Sequence, residues 1–261
     1  MWRHRVSKDW LMAHTHYLTA SNIRNILPVT ETGRKRSQAQ IEANMLKAAS
    51  NMMTAYIPDE DCISTAAAAR GHLLEPIAIE EANAAKNFGL YHWDDIILVK
   101  GILGWSPDAM SIPQNGHLTE SCIYDIEKQG ALCPASIGEV KSYLMERHIT
   151  SVFTDKKDCP ERWQLAVGMA LLKNCQYANL IFFNPDSAVR LAVKTYSRQD
   201  LEEEIEMVKE AEQSFRKFLG SLPNIDDMND FSKVIATSSF NIKKNSDYYM
   251  NTFMKAERMN V

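Results

Sequence analysis

Residues 104–110, "GWSPDAM", carry an aspartate out of an apolar run across a Ser-Pro step. A lone Asp after a proline usually caps or turns a chain, and it gains chemical meaning only where other acids meet it. The surrounding stretch "DIILVKGILGWSPDAMSI" reads as strands broken at Gly101 and Gly104, and "ASIGEVKSYL", residues 135–144, as a further short strand. Side chains alternate along a strand, so Glu139 and Lys141 share one face and Val140 takes the other. A hairpin between the two strands puts Asp108 beside Glu139. A third acid, Glu75, sits among Leu73, Leu74 and Ile77, where a carboxylate is costly without a cation.

Outward from these strands the chain reads as α/β. Residues 1–60 are helices and loops, with Thr19 and Ser21 as N-cap candidates ahead of Ile23, Ile26 and Leu27 at helical spacing. Residues 65–86 are Ala-rich and helical, and Pro76 predicts a kink or a fresh helix start. The segment between the two catalytic strands is polar and turn-rich, and reads as a long hairpin connection with some structure of its own. "ERWQLAVGMALLK" is a buried or amphipathic helix, "YANLIFFNPD" a buried strand closed by Asn-Pro, and "LAVKTYS" its antiparallel neighbour. A strong helix over 199–219 turns Leu201, Ile205, Val208, Phe215 and Phe218 toward the core. The expected organisation is one domain over 1–222, with a helical part over 1–60 and a core over 61–222. Residues 223–261 form an extension with aromatics, expected as weak helices docked on the core or on a neighbouring subunit.

The 261 residues are 45% hydrophobic and 24% charged, ordinary for a soluble globular chain. No apolar run suits a membrane span, and the charged N-terminus does not suit a signal peptide. Five cysteines, at 62, 122, 133, 159 and 175, include no CxxC pair and read as free thiols of a reducing cytoplasm. Residues 1–50 hold eight Lys/Arg against Asp9, Glu31 and Glu42, a net of +5, which leaves −9 for the rest of a chain that totals −4. A basic N-terminal face on an acidic body suits a surface that meets phosphates, as does the run Arg34, Lys35 and Arg36.

Carboxylates that converge with one lysine suit a divalent cation and phosphodiester hydrolysis. Asp and Glu oxygens match Mg²⁺ or Mn²⁺, and a lysine orients or helps deprotonate water and offsets developing charge. The carbonyl of Val140 is a further oxygen within reach of such a site.

"SPDAM" followed by "GEVK" is similar to the PD-(D/E)XK nuclease signature, whose restriction-endonuclease-like core is a central mixed β-sheet flanked by helices. The wider pattern resembles the lambda exonuclease branch (YqaJ-type viral recombinases). It runs from "WLMAHTHYLTAS" through "RGHLLE", "GWSPDAM", "GEVK", Arg147 and "ERWQLAVGMALL" to "FFNPD". The resemblance implies Asp108, Glu139 and the Val140 carbonyl as metal ligands and Lys141 as the catalytic lysine. Glu75 matches the helical acid near a second metal, and Gln164 the glutamine of the helix motif. Ser21, Ser106 and His14 fall where the family meets a terminal 5′-phosphate, and Arg147 where it sets an arginine against DNA. The implied activity is a Mg²⁺-dependent exodeoxyribonuclease, with two ions replaceable by Mn²⁺, that digests linear duplex 5′→3′ and leaves 3′ strands for recombination. The implied partners are double-stranded DNA ends, a single-strand annealing protein and two further copies in a trimeric ring, in the cytoplasm of a bacterial host of phage or prophage. The alternatives are a RecB-like nuclease of other polarity or endonucleolytic action, and a non-catalytic DNA-binding subunit.

The departures from that pattern are specific. His14 replaces an arginine at the phosphate, so the preference for 5′-phosphorylated ends is expected to fade between pH 6.5 and pH 8.5, as an imidazole of ordinary pKa (about 6.5) loses its charge. Asp108 and Glu139 are 31 residues apart, longer than the family's hairpin. Ala68 stands at the position of an apolar wedge, Gly168 at that of an aromatic, and the tail beyond about residue 222 has no counterpart. His14 and His16 form an HxH pair without the acids or cysteines of a zinc site.

Overall fold

The structure is a computed structural model that describes residues 14–30, 34–53, 66–93, 96–114 and 123–222, and of residues 66–68 the backbone alone. The expected tail helices, Cys62, Cys122 and the side chain of Ala68 lie outside the described residues. The elements in chain order begin with β1 (Leu18–Thr19), α1 (Ala20–Ile26), α2 (Gln38–Met53) and α3 (Ala66–Lys86). Six strands and a short helix follow: β2 (Leu90–His92), β3 (Ile97–Lys100), β4 (Leu103–Trp105), β5 (Ala109–Ser111), β6 (Ile123–Asp125), α4 (Ile126–Gln129) and β7 (Ser136–Lys141). The chain then forms α5 (Met145–Phe153), α6 (Arg162–Leu171), β8 (Tyr177–Phe183), β9 (Leu191–Ser197) and α7 (Glu202–Ser221).

The strands form two mixed sheets rather than one. The first has the order β1-β4-β3-β6, with β3 and β4 antiparallel about Gly101 and both outer strands parallel to their neighbours. Gly101 turns that hairpin at φ 57, a left-handed conformation open to glycine without strain. The second sheet has the order β2-β5-β7-β8-β9, with β7 and β8 parallel and every other pair antiparallel. A parallel pair needs a crossover, and α5 with α6 supplies it.

Strand alternation divides the core. Met110, Ile137, Leu180 and Phe182 face α6 and α7, where Leu165, Met169, Val208 and Phe215 cover them. Ala109, Val140, Ile181 and Phe183 face the other way, against Ala78, Ile79 and Ala82 of α3. Each such large apolar side chain contributes about 1.5–3 kcal/mol on burial. β8 reads as an unbroken apolar run because both its faces are covered.

Pro76 does not break its helix: α3 runs from Ala66 to Lys86 with the proline on the exposed side. Burial of Ala78, Ile79 and Ala82 offsets the backbone cost, so tertiary packing outweighs propensity. The polar connection is also more structured than a hairpin loop, since β6 and α4 lie in it and β6 extends the first sheet. Gly168 lets α6 lie close on the sheet. A Cβ there would meet Ile137 Cδ1 at 2.9 Å and the Trp105 ring at 3.0 Å, so the indole already fills the space an aromatic at 168 would need.

Candidate active site

The antiparallel register of β5 and β7 sets Ala109 opposite Gly138 and Met110 opposite Ile137. Continued by one residue, it brings Asp108 against Glu139 on the same face of the sheet, as the hairpin expectation required. The Val140 N–H lies past the end of β5 and donates to Asp108 Oδ2 at 2.7 Å. In an extended strand the carbonyl of a residue points to the same side as its N–H, so the Val140 oxygen faces the same gap. Lys141 Nζ pairs with Glu139 Oε1 at 2.5 Å, and Glu139 is only 4% exposed.

The electrostatics of this cluster are unbalanced. Burial first, then the charges of Glu139 and Glu75, push Asp108 well above the ordinary carboxylate range, against Lys141 and the Val140 N–H. Burial also raises Glu139, with Lys141 opposing and Glu75 and Glu161 adding to the rise. Burial disfavours the Lys141 ammonium, but Glu139 and Asp108 outweigh it and raise the lysine above its usual value. Lys141 therefore stays protonated. The pair of strand carboxylates lacks positive charge that one lysine does not supply.

Glu75 is placed differently. It lies on α3 one turn before Ala78 and Ile79, so it shares their inward face at the end of the sheet. His72 Nδ1 is 3.4 Å from one of its oxygens and His92 Nε2 is 3.6 Å from the other. Burial works against the Glu75 carboxylate, but hydrogen bonds and charge from the two histidines outweigh it and hold its pKa at about 2. Among the described residues no three His, Cys, Asp or Glu side chains already form a cage for a metal ion. The donors that fit one cation are Asp108, Glu139 and the Val140 carbonyl, all oxygen and short of positive charge. Glu75, with one histidine at each oxygen, keeps further lone pairs with which it would join them.

Gln164 lies in the first turn of α6, one turn before Gly168, whose face meets Ile137 on the side of β7 that carries Glu139. The parallel pairing of β1 with β4 sets Thr19 opposite Gly104, so Ser21 and Ser106 follow at the same end of the first sheet. Thr19 holds the N-cap position of α1 without capping it; its hydroxyl pairs with Ser21 Oγ at 3.0 Å. Ser106 Oγ donates to the Ile96 carbonyl at 2.8 Å. Burial lowers His14 to about 4, so its ring is already neutral at pH 6.5. A charged His14 would therefore need a bound phosphate dianion to favour it over burial.

Sequence reasoning passed over four groups around the cluster: His72, His92, Tyr143 and Glu161. Tyr143 OH donates to Glu161 Oε1 at 2.6 Å, and Arg147 lies over the Tyr143 ring at 4.0 Å. The acid directly ahead of a helix in "CPERWQ" was a local signal for Glu161; the histidines had none. Away from these residues a cavity of about 330 Å³ is lined by Thr30, Arg34, Lys35, Arg36, Gln40 and Asn44. Arg36 braces it by donating to the Leu27 and Val29 carbonyls.

No family model matches the chain, and no curated protein is similar to it in sequence. Solved structures are similar in fold. An alkaline exonuclease (LHK-Exo) from Laribacter hongkongensis superposes at TM-score 0.57 with 15% identity, over 93% of this chain and 100% of that one. LHK-Exo in complex with dAMP gives TM-score 0.53 and 17% identity over the same shares. The chain is similar in fold to these two structures. A phage-related exonuclease from Haemophilus somnus 129PT is more distant, at TM-score 0.42 and 15% identity, over 78% of this chain and 96% of that one. The α/β class expected from the sequence thus holds for the architecture. Among the described residues no helix is long and apolar enough to cross a membrane.

Proposed function

We propose that the chain is a Mg²⁺-dependent exodeoxyribonuclease that digests linear duplex DNA from its 5′ ends. The observation that carries this reading is the β5/β7 register, which joins Asp108, Glu139 and Lys141 in a part-buried cluster short of positive charge. A divalent cation bound by Asp108, Glu139 and the Val140 carbonyl would supply positive charge at the scissile phosphate and lower the pKa of an attacking water. Glu139 fixes the Lys141 ammonium by their ion pair. Lys141, held by that ion pair, would orient or help deprotonate the attacking water and offset charge developing on the phosphate. The Val140 N–H holds Asp108 in place, so both acids are oriented by one strand.

Ser21 and Ser106 stand at one end of the first sheet and suit the terminal phosphate by hydroxyl hydrogen bonds. The cavity of Arg34, Lys35 and Arg36 suits the duplex backbone, consistent with the net +5 of residues 1–50. A trimeric ring that draws DNA inward, and hands the 3′ strand to an annealing protein, fits the same asymmetry. The function is tested with end-labelled linear duplex and closed circular plasmid in Mg²⁺, Mn²⁺ or EDTA. Loss of the 5′-terminal strand from linear DNA alone, abolished by EDTA, is the expected result; cutting of the circle, or 3′-strand loss, overturns the polarity or the exonucleolytic mode.

A further inference from the structure

The β7–α5 junction carries a network around Arg147, the arginine that the resemblance sets against DNA, and its other members, Tyr143 and Glu161, have no part in the cleavage scheme. Glu161, directly ahead of α6, is 4% exposed and accepts from Tyr143 OH at 2.6 Å. Arg147, on the first turns of α5, brings Nη2 to 3.1 Å from Tyr143 OH and 3.5 Å from Glu161 Oε1. Its guanidinium carbon lies 4.0 Å above the Tyr143 ring. An arginine side chain at a surface ordinarily wanders among rotamers. This one is held on a face and at an edge, while 65% of its side chain remains exposed. The network adjoins the cleavage pair: Tyr143 follows Lys141 by two residues, and the charge of Glu161 is among those acting on Glu139.

The charge inventory gives the network a purpose. The charge of Glu75 acts on both Asp108 and Glu139 and that of Glu161 on Glu139, so a phosphodiester at the strand carboxylates would meet negative charge, and Lys141 is committed to Glu139. A polyanion needs an exposed, fixed cation at the rim of such a site. Arg147 has the exposure, with 65% of its side chain open to solvent while Tyr143 and Glu161 hold it. We propose that Tyr143 and Glu161 are positioning residues that hold Arg147 as a phosphate clamp for the DNA strand being cut, an inference that rests on the nuclease reading. A plain staple between α5 and α6 is the competing account, and it would leave DNA contact untouched.

The experiment measures single-turnover cleavage, salt-dependent duplex binding and Tm for Arg147→Ala, Tyr143→Phe and the double variant, beside wild type and Glu139→Gln. Arg147→Ala is expected to slow cleavage about tenfold or more and to lower the salt slope of binding by about one phosphate contact. Tyr143→Phe keeps the ring under the guanidinium and removes the hydroxyl, so a smaller loss of about threefold to tenfold is expected, with Tm lowered because the buried Glu161 carboxylate loses a donor. In the Arg147→Ala background the Tyr143→Phe change should add little further loss of cleavage, because its main route is through the arginine. Independent, multiplying losses, or a fall in Tm with cleavage and salt slope unchanged, overturn the clamp. If Glu139→Gln is dead while the clamp variants fail in this way, this proposal falls alone. A wild-type chain that does not cut DNA ends both.

Discussion

Three carboxylates meet at one end of the sheet, and the fold drives them in opposite directions. Glu75, on a helix, has two histidines at its oxygens and is held at about 2. Asp108 and Glu139, on neighbouring strands, share one lysine and are both pushed up. The same functional group is satisfied in one place and left wanting in the other. On the proposed reading, the acids left short of positive charge are the ones a cation would join.

The widest separation between the two kinds of acid should appear in cleavage. Glu139→Gln, Lys141→Ala or Asp108→Asn is expected to lower it by about a thousandfold or more, while the circular dichroism spectrum and duplex binding persist. Appreciable activity in Asp108→Asn would place the chemistry elsewhere. Glu75→Gln is expected to cost less, about tenfold to a hundredfold, as a neighbour with a histidine already at each oxygen. A loss equal to that of the strand acids would make Glu75 a full ligand and erase the contrast.

Farther from the acids, the paired change Arg34→Ala and Lys35→Ala should weaken duplex binding by about tenfold and lower the salt slope by about two, with the rate at saturating DNA preserved. A fall in that saturated rate would tie the basic cavity to the chemical step instead.

The smallest effect is on stability. The folded pKa of Asp108 lies above its ordinary 3.8, so between the two values the native state holds a proton that the unfolded chain has lost. The contribution of Asp108 to stability therefore falls as pH rises through the folded value, and the deficit persists above it. Asp108→Asn in metal-free buffer should raise Tm more at about pH 8 than at about pH 5, each kcal/mol appearing as about 2–4 °C. Equal shifts at both values would remove the strain assigned to the strand pair.

Much of the fold is legible locally. Alternation marks β7, an unbroken apolar run marks β8, and helical spacing of Leu201, Ile205, Val208 and Phe215 marks the segment ending in α7. The elements that escaped reading are those whose cause is distant. β6 is a three-residue strand in a polar stretch, and it forms because β3 offers an edge. α3 continues through Pro76 because the sheet buries the turns beyond it.

From the sequence alone came the acids Asp108 and Glu139, the Lys141 on the same strand face, the helix with Gln164 and the basic bias of residues 1–50. These rest on periodicity and order, which neighbouring residues dictate. The tertiary structure alone decided which charges pair. It set His92 of β2 against Glu75 of α3, Glu161 against Tyr143, and His14 where burial lowers it to about 4. A pKa depends on desolvation and on charges within a few ångströms, and those neighbours are brought together from distant parts of the chain only by folding.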